Sequence, residues 1–276
     1  MRLFSLAFAD ETSRLSGFGT FLLAFGTVAA GLLDLIWRDF DPAHQPIQNL
    51  NIHILDRAPL ACIAGVCLLL AGTGIFWQRT VRAAIWVAVI IYSAVGLFSI
   101  PRFYTMNHKY GFHVTIVLGV LGEMLQQLIV VAGCLVLHSR LGPNGSLASA
   151  RSTWYIRTVF GLSSLLFGLS HFDNTQAIVH MIPGWMPFTP SFWVRLTGLC
   201  FSLAGLAILT GVLDAIAARL LASMLLIFEG ILIPIFFNDP HMHQAWGGSA
   251  YNLAVAGSVF IYAASLTGDS AREAAD

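Results

Sequence analysis

Eight long apolar runs set the terms on which this chain can fold. They cover residues 15–36, 58–77, 83–101, 113–137, 155–172, 190–213, 217–237 and 247–267. A hydrocarbon core about 30 Å thick needs about 20 apolar residues per helix, and each run is close to that length. In lipid, every backbone N–H and C=O has to be bonded within the protein, which leaves helices and closed barrels as spanning structures. A barrel would show segments of about ten residues with alternating polarity. These runs are continuous, so the predicted fold class is an all-α polytopic membrane protein with eight transmembrane helices. Charge agrees: 10% of the residues are charged, against about 25% in a soluble domain. Acidic and basic residues balance at 14 each, so no basic excess points to nucleic acid. The opening stretch MRLFSLAFADETSRLSG is too polar for a cleavable signal peptide, and the first run is expected to stay as a span.

Arginines orient the spans. With the N-terminus inside, one side carries Arg2, Arg14, Arg79, Arg82, Arg140, Arg151, Arg157, Arg219 and Arg272. The other carries Arg38, Arg57, Arg102, Lys109 and Arg195. The basic excess marks the cytoplasmic side, which predicts cytoplasmic N- and C-termini in a bacterial-type inner membrane.

The chain also repeats. FGTFLLAFG at 18–26 matches FGLSSLLFG at 160–168, and GVCLLLAG at 65–72 matches GLCFSLAG at 198–205. Ile100-Pro101 falls at the spacing of Ile233-Pro234, and Gly133 resembles Gly257. Four spans per half is an even number, so the expected architecture is two parallel four-helix repeats about an axis along the membrane normal. The expected divisions are residues 1–137, a polar linker 138–153, a second repeat 154–267 and a tail 268–276. Glycines at seven-residue spacing (19 and 26, 65 and 72, 161 and 168, 198 and 205) suit close helix packing. Pro101 and Pro234 are expected to end or kink the third helix of each half. The four cysteines, Cys62, Cys67, Cys134 and Cys200, form no C-x-x-C pair and read as small hydrophobes within the spans.

Ionisable groups at membrane depth cost roughly 2.5–3.5 kcal/mol each on insertion scales, so each needs a reason. Glu123, with Gln126 and Gln127 on the following turn, and Glu229, ahead of Pro234, are the deepest. Each is a candidate acid/base or proton-carrying carboxylate, or else a packing hydrogen bond. Asp34, in LLDLIW, is either a solvated helix end or turned inward to pair with Arg57 or orient a histidine. Arg195 is expected to extend to the outer surface.

Eight of the nine histidines fall at the outer side of these spans: His44, His53, His108, His113, His171, His180, His241 and His243. Histidine titrates near neutrality and binds metals. His241 and His243 form H-M-H, whose rings point the same way if the segment is extended. With the intervening methionine they suit a soft metal such as copper. His171 and His53 are the further candidate ligands, and His171 is also a candidate catalytic group. Trp37, Phe40, Tyr104, Tyr110, Trp185, Phe188, Trp193 and Trp246 read as an aromatic belt, or in part as the wall of an entry for a lipid-soluble molecule. The expectation is one pocket at the outer mouth, closed by linkers of both halves, with Glu123 and Glu229 beneath it.

The second half resembles the DoxX-like family of four-helix membrane proteins. The resemblance rests on FGLSSLLFGLSHF at 160–172, IPGWMPFTPSFWVRLTG at 182–198, LAGLAILTG at 203–211, and Trp246 with YNLAVAG at 251–257. It covers roughly residues 155–265 and implies a tandem DoxX-like protein, in a family linked to thiosulfate:quinone oxidoreductase, oxidative-stress complexes and chaperone-like roles. The first half lacks the IPGWMP pattern in its 37–57 linker. The leading functional expectation is a redox-linked membrane protein or oxidoreductase subunit, with quinone or a transition metal (copper or iron) at the outer face. Trp185, Trp193, Arg195 and Asn252 are its candidate cofactor contacts, and a redox partner protein or a lipid-soluble small molecule its candidate partner. The alternatives are a proton-coupled transporter or channel for a small solute or metal, an acid/base enzyme acting on a lipid, and a scaffold. No phosphate-binding loop, zincin helix or G-x-S-x-G elbow occurs.

Overall fold

The computed structural model describes residues 2–42, 57–142, 150–238 and 240–273. Among the described residues the elements are helical and no strand occurs. In chain order they are α1 (Arg2–Trp37), α2 (Arg57–Ile75), α3 (Val81–Phe98), α4 (Pro101–Tyr110), α5 (Val114–Arg140), α6 (Ala150–Asp173), α7 (Thr175–Ile178), α8 (Pro190–Thr210), α9 (Asp214–Phe236) and α10 (His243–Glu273). Eight of these follow the eight apolar runs. All but α6 are long and apolar enough by themselves to cross a membrane. Helix α6 is as long but more polar, carrying Arg157, Ser163, Ser164, Ser170 and His171. The chain is thus an all-helical protein whose long apolar helices suit a polytopic membrane protein.

Apolar side chains point outward. Leu70, Ile90, Leu97 and Leu220 are each more than 60% exposed, while much of the interior is alanine and glycine. Lipid tails are as apolar as leucine, so helices gain little by hiding leucine and associate through small residues that let backbones touch. Helix α10 is the most enclosed, packed against α1, α9 and α5. The remaining neighbours are α1 with α2, α2 with α3, α3 with α5, α5 with α6, α6 with α8, and α8 with α9.

The helices are joined at alternate ends of the bundle. One end holds the described segments 38–42, 99–113, 174–189, 237–238 and 240–242, with His108, His113, His180 and His241. The other holds arginines tied to helix ends. There Arg157 Nη2 donates to Asp214 Oδ2 at 3.0 Å, Arg82 Nη2 to the Leu141 carbonyl at 2.7 Å, and Arg219 Nη2 to Thr267 Oγ1 at 3.0 Å. Gly211 closes α8 with φ +75°. A side chain there would be strained and would sit 2.7 Å from Arg157 Nη1.

Proline acts differently in the two halves. Pro101 stands at the first turn of α4, two residues after α3 has ended, where its missing N–H costs nothing. Pro234 lies inside α9, just before its end at Phe236.

The glycine pairs form close contacts, though not with the partners that the matched segments suggest. Gly161 and Gly168 of α6 face Gly205 and Gly198 of α8, whereas Gly19 and Gly26 of α1 face Gly257 and Ala254 of α10. The contact of α1 with α2 is made instead by Ala24, Val28 and Gly31, which meet Gly72 and Gly65. The phenylalanine–glycine match between 18–26 and 160–168 is therefore about one and a half turns out of register with the packing. The four cysteines are free.

Candidate functional site

A cavity of about 180 Å³ lies at the histidine-rich end, between α6, α8, α9 and α10. Its cover is the segment between α6 and α8, which supplies Met181, Ile182, Pro183 and Met186. The sequence IPGWMPFTP explains the cover. Its prolines cannot extend a helix, and Thr189 starts α8 by accepting from the Phe192 backbone N–H at 3.3 Å, with Pro190 at the first helical position. Trp193, one turn into α8, donates its indole N–H back to the Pro187 carbonyl at 2.5 Å. That bond ties the cover to the helix that walls the cavity.

The walls are mainly apolar, including Phe167, Phe201, Leu225 and Phe228. His171 is the ionisable side chain that lines the cavity, and it is 7% exposed. Its Nδ1 lies 2.8 Å from the Phe167 carbonyl. A carbonyl only accepts, so Nδ1 carries the proton and a neutral ring presents a lone pair at Nε2. The ring is held between Phe167 and Phe201, at centroid distances of 5.1 and 5.4 Å. Gly198 closes on it from α8, where an added Cβ would lie 2.8 Å from His171 Cβ.

Asn252 lines the cavity from α10. Its Nδ2 donates to Glu229 Oε1 on α9 at 2.9 Å, and its Oδ1 accepts from Gln126 Nε2 on α5 at 3.1 Å. One side-chain amide thus bonds three helices together. Glu229 is 3% exposed, and its Oε2 is buried with no hydrogen-bond partner. A smaller pocket of about 40 Å³ adjoins the cavity, sharing Phe167, Phe201, Leu225 and Asn252 and reaching Ser163 and Ser164.

The larger cavity is lined by one histidine, where the sequence suggests several around one pocket. Of the candidates, His171, Trp193 and Asn252 line one cavity, with Glu229 bonded behind Asn252. Glu123 lies elsewhere, paired with Arg102 of α4 and about a fifth exposed, so it is an ion pair and not a deep lone carboxylate. Trp185 is 70% exposed and outside the cavity. Arg195 is exposed, as a basic group at a helix end is expected to be. His53 and His44 lie outside the described residues.

The H-M-H segment is not extended. The His243 N–H donates to the His241 carbonyl at 2.9 Å, which closes a three-residue turn. His241 is exposed, while His243 stacks flat on Trp37 at a centroid distance of 4.5 Å. His171 belongs to neither. Among the described residues no group of three or more histidine, cysteine, aspartate or glutamate side chains is placed to hold a metal ion. His171, His241 and His243 thus have separate surroundings, one in the cavity wall, one exposed and one stacked on Trp37.

Asp34 is buried, 6% exposed, and packs beneath Gly65 of α2. It is neither a solvated helix end nor the partner of Arg57, which lies 3.7 Å from Asp39. Asp41, also buried, sits under Gly247 of α10.

Residues of the site that carry no signal by type are Thr197 and the hydrophobic cover, while Gln126, noted beside Glu123, bonds Asn252 instead. The cover could have been found from IPGWMP, a proline-rich apolar segment too short to span. Of the aromatics read as a belt, Tyr104, Tyr110, Trp185 and Phe188 are exposed, whereas Phe40 is buried. Trp193 and Trp246 are turned partly inward. Compared with protein-family models, curated proteins and solved structures, the chain matches none.

Proposed function

We propose that the chain is a ligand-binding membrane protein of redox-linked function, whose cavity under the 174–189 segment receives the head ring of a lipid-soluble, quinone-type molecule. The observation that carries this reading is an apolar cavity of about 180 Å³ with one buried imidazole and one amide in its wall. Ligand sites are mostly apolar with a few placed polar groups. A dry protein cavity of about 150 Å³ holds benzene, so this one suits a single substituted ring with a chain leading out toward lipid. The redox link draws on the DoxX-like resemblance of residues 155–265. The cavity lies inside the stretch that carries that resemblance.

The test uses purified protein in nanodiscs titrated with a short-chain benzoquinone, followed by tryptophan quenching and calorimetry against empty nanodiscs. Saturable binding that Thr197→Phe removes supports the reading. Thr197 lines the cavity, and its hydroxyl bonds only its own helix's carbonyls, so the bulkier ring fills space without orphaning a partner. Absence of saturable binding, or binding unchanged in Thr197→Phe, would overturn it.

A tandem arrangement of two DoxX-like units is supported by the neighbours of each helix. Exchanging α1, α2, α3, α5 with α6, α8, α9, α10 turns every neighbouring pair of long helices into another such pair. In that exchange Gly31 matches Gly168 and Asp34 matches His171, each beneath a glycine of the next helix. Leu225, in the cavity wall, matches Tyr92, which is fully buried and donates to Thr27 at 3.2 Å. The first half thus carries a tyrosine where the second half is open. The arginine distribution supports cytoplasmic termini and an outward-facing cavity.

Proton-coupled transport is a second reading, favoured by the hydrogen-bonded line Gln126–Asn252–Glu229 and the unpartnered Glu229 Oε2. A proteoliposome proton-flux assay in which Glu229→Gln changes nothing would remove it.

A further inference from the structure

Every polar group in the cavity wall can be followed to its partner, and one acceptor is left over. The Thr197 hydroxyl donates to the carbonyls of Trp193 and Val194, at 3.0 and 2.9 Å. The Trp193 indole N–H is spent on Pro187, and Asn252 Oδ1 on Gln126. His171 has given its Nδ1 proton to Phe167, which leaves Nε2 as a lone pair on a ring more than nine-tenths buried. No ion pair reaches this ring among the described residues. The ring cannot turn to hide its acceptor, because Gly198 presses on its Cβ and Phe167 and Phe201 flank its faces. No donor among the described residues meets this nitrogen, and the cavity that His171 lines is the space from which a donor can come.

We propose that the cavity selects a ligand bearing a hydrogen-bond donor, a phenol-type hydroxyl on a single apolar ring, which it gives to His171 Nε2. This deepens the reading of the cavity as a ring-binding site and rests on it. For a quinone-type molecule it means that the hydroxylated, reduced head is held more tightly than the dicarbonyl head, whose oxygens only accept. A hydroxyl also accepts, which suits the second amide proton of Asn252, of which one is committed to Glu229. An ether or carbonyl oxygen of the same size would meet Nε2 lone pair to lone pair.

The test compares 4-propylphenol with 4-propylanisole, matched in ring and chain, by calorimetry on the full chain in nanodiscs with empty nanodiscs as the partition blank. One hydrogen bond to an otherwise unpaired buried acceptor predicts a preference of about threefold to tenfold for the phenol. His171→Phe keeps an aromatic ring, a little larger, and removes the acceptor. It is expected to bring the phenol down to the affinity of the ether, with the ether unchanged. Equal affinities in the unmodified protein, a preference for the ether, or a phenol preference that survives in His171→Phe would each overturn the assignment while leaving a ring-binding cavity standing. Failure of both compounds to bind saturably would overturn the ring-binding reading itself. The comparison in the unmodified protein needs no variant to fold.

Discussion

Adding one methyl group to Gly205 tests whether the bundle is held by backbone contact. A Cβ at this position of α8 would lie 2.6 Å from the Leu165 amide nitrogen, 2.7 Å from the Gly161 oxygen and 2.9 Å from Leu165 Cα. Ordinary van der Waals contact begins at 3.4 Å, so the closest approach is short by about 0.8 Å. All three atoms are backbone, and no side chain can swing away to make room. Either α6 and α8 move apart, losing contact along their length, or the methyl is compressed. Overpacking of this kind costs about 1–3 kcal/mol. Alanine also favours helix over glycine by about 1 kcal/mol, which would mask part of the loss. Gly230→Ala in α9 supplies the control, because a Cβ there meets nothing within 4 Å. Both variants gain the same propensity, so the gap between them isolates the packing term. Reversible unfolding in mixed micelles, followed by tryptophan fluorescence, should place Gly205→Ala about 1–3 kcal/mol below Gly230→Ala. Equal stability of the two would refute the claim that glycine-mediated backbone contact holds α6 against α8.

Asn252→Leu removes the donor to Glu229 Oε1 and is expected to cost about 1–3 kcal/mol of stability, read in the same unfolding assay, and to weaken ring-ligand binding. Trp193→Phe removes the anchor to Pro187; faster protease cleavage within 174–189, with little change in global unfolding, is the expected outcome. Leu225→Tyr imitates Tyr92, with Ser164 standing where Thr27 stands for Tyr92. Because Leu225 lines the cavity, the added ring has space to enter, so its stability cost is expected to stay at or below the roughly 1–3 kcal/mol of ordinary overpacking, while ring-ligand affinity measured by calorimetry falls. For Arg102 and Glu123, a double-mutant cycle with Arg102→Met and Glu123→Leu should give a coupling of about 0.5–3 kcal/mol, with the double variant more stable than Arg102→Met alone.

Much of the helix plan was legible because lipid imposes a length rule on each span independently, and each of the eight runs appears as a helix, although α1 begins well before its run, at Arg2, and α10 extends past its run to Glu273. Orientation of single groups was less legible. Asp34 and Glu123 look alike in sequence, one carboxylate each in an apolar run. Yet Asp34 is packed under Gly65 and Glu123 is met by Arg102, a partner on a short helix of its own after Pro101. The described histidines of that set share an end of the bundle because chain topology puts them there, but sharing an end does not make them neighbours. His171 faces a cavity, His243 stacks on Trp37, and His241 faces outward. Asn252 was a candidate by its place in the second half; its bonds to Glu229 and Gln126 join residues far apart in the chain.

The sequence by itself determined that this protein is a bundle of membrane-length helices, since hydrophobic length and backbone hydrogen bonding leave no other solution for runs of this kind. It also determined which helices carry small residues. Tertiary structure decided which small residue meets which. Gly31, not Gly26, takes the place of Gly168, because α10 occupies the face of α1 that Gly19 and Gly26 present. It also decided that His171 is the histidine with a cavity before it. A histidine's chemistry depends on what stands within a few ångströms of its ring, and α8, α9, α10 and the 174–189 segment bring those neighbours from distant parts of the chain.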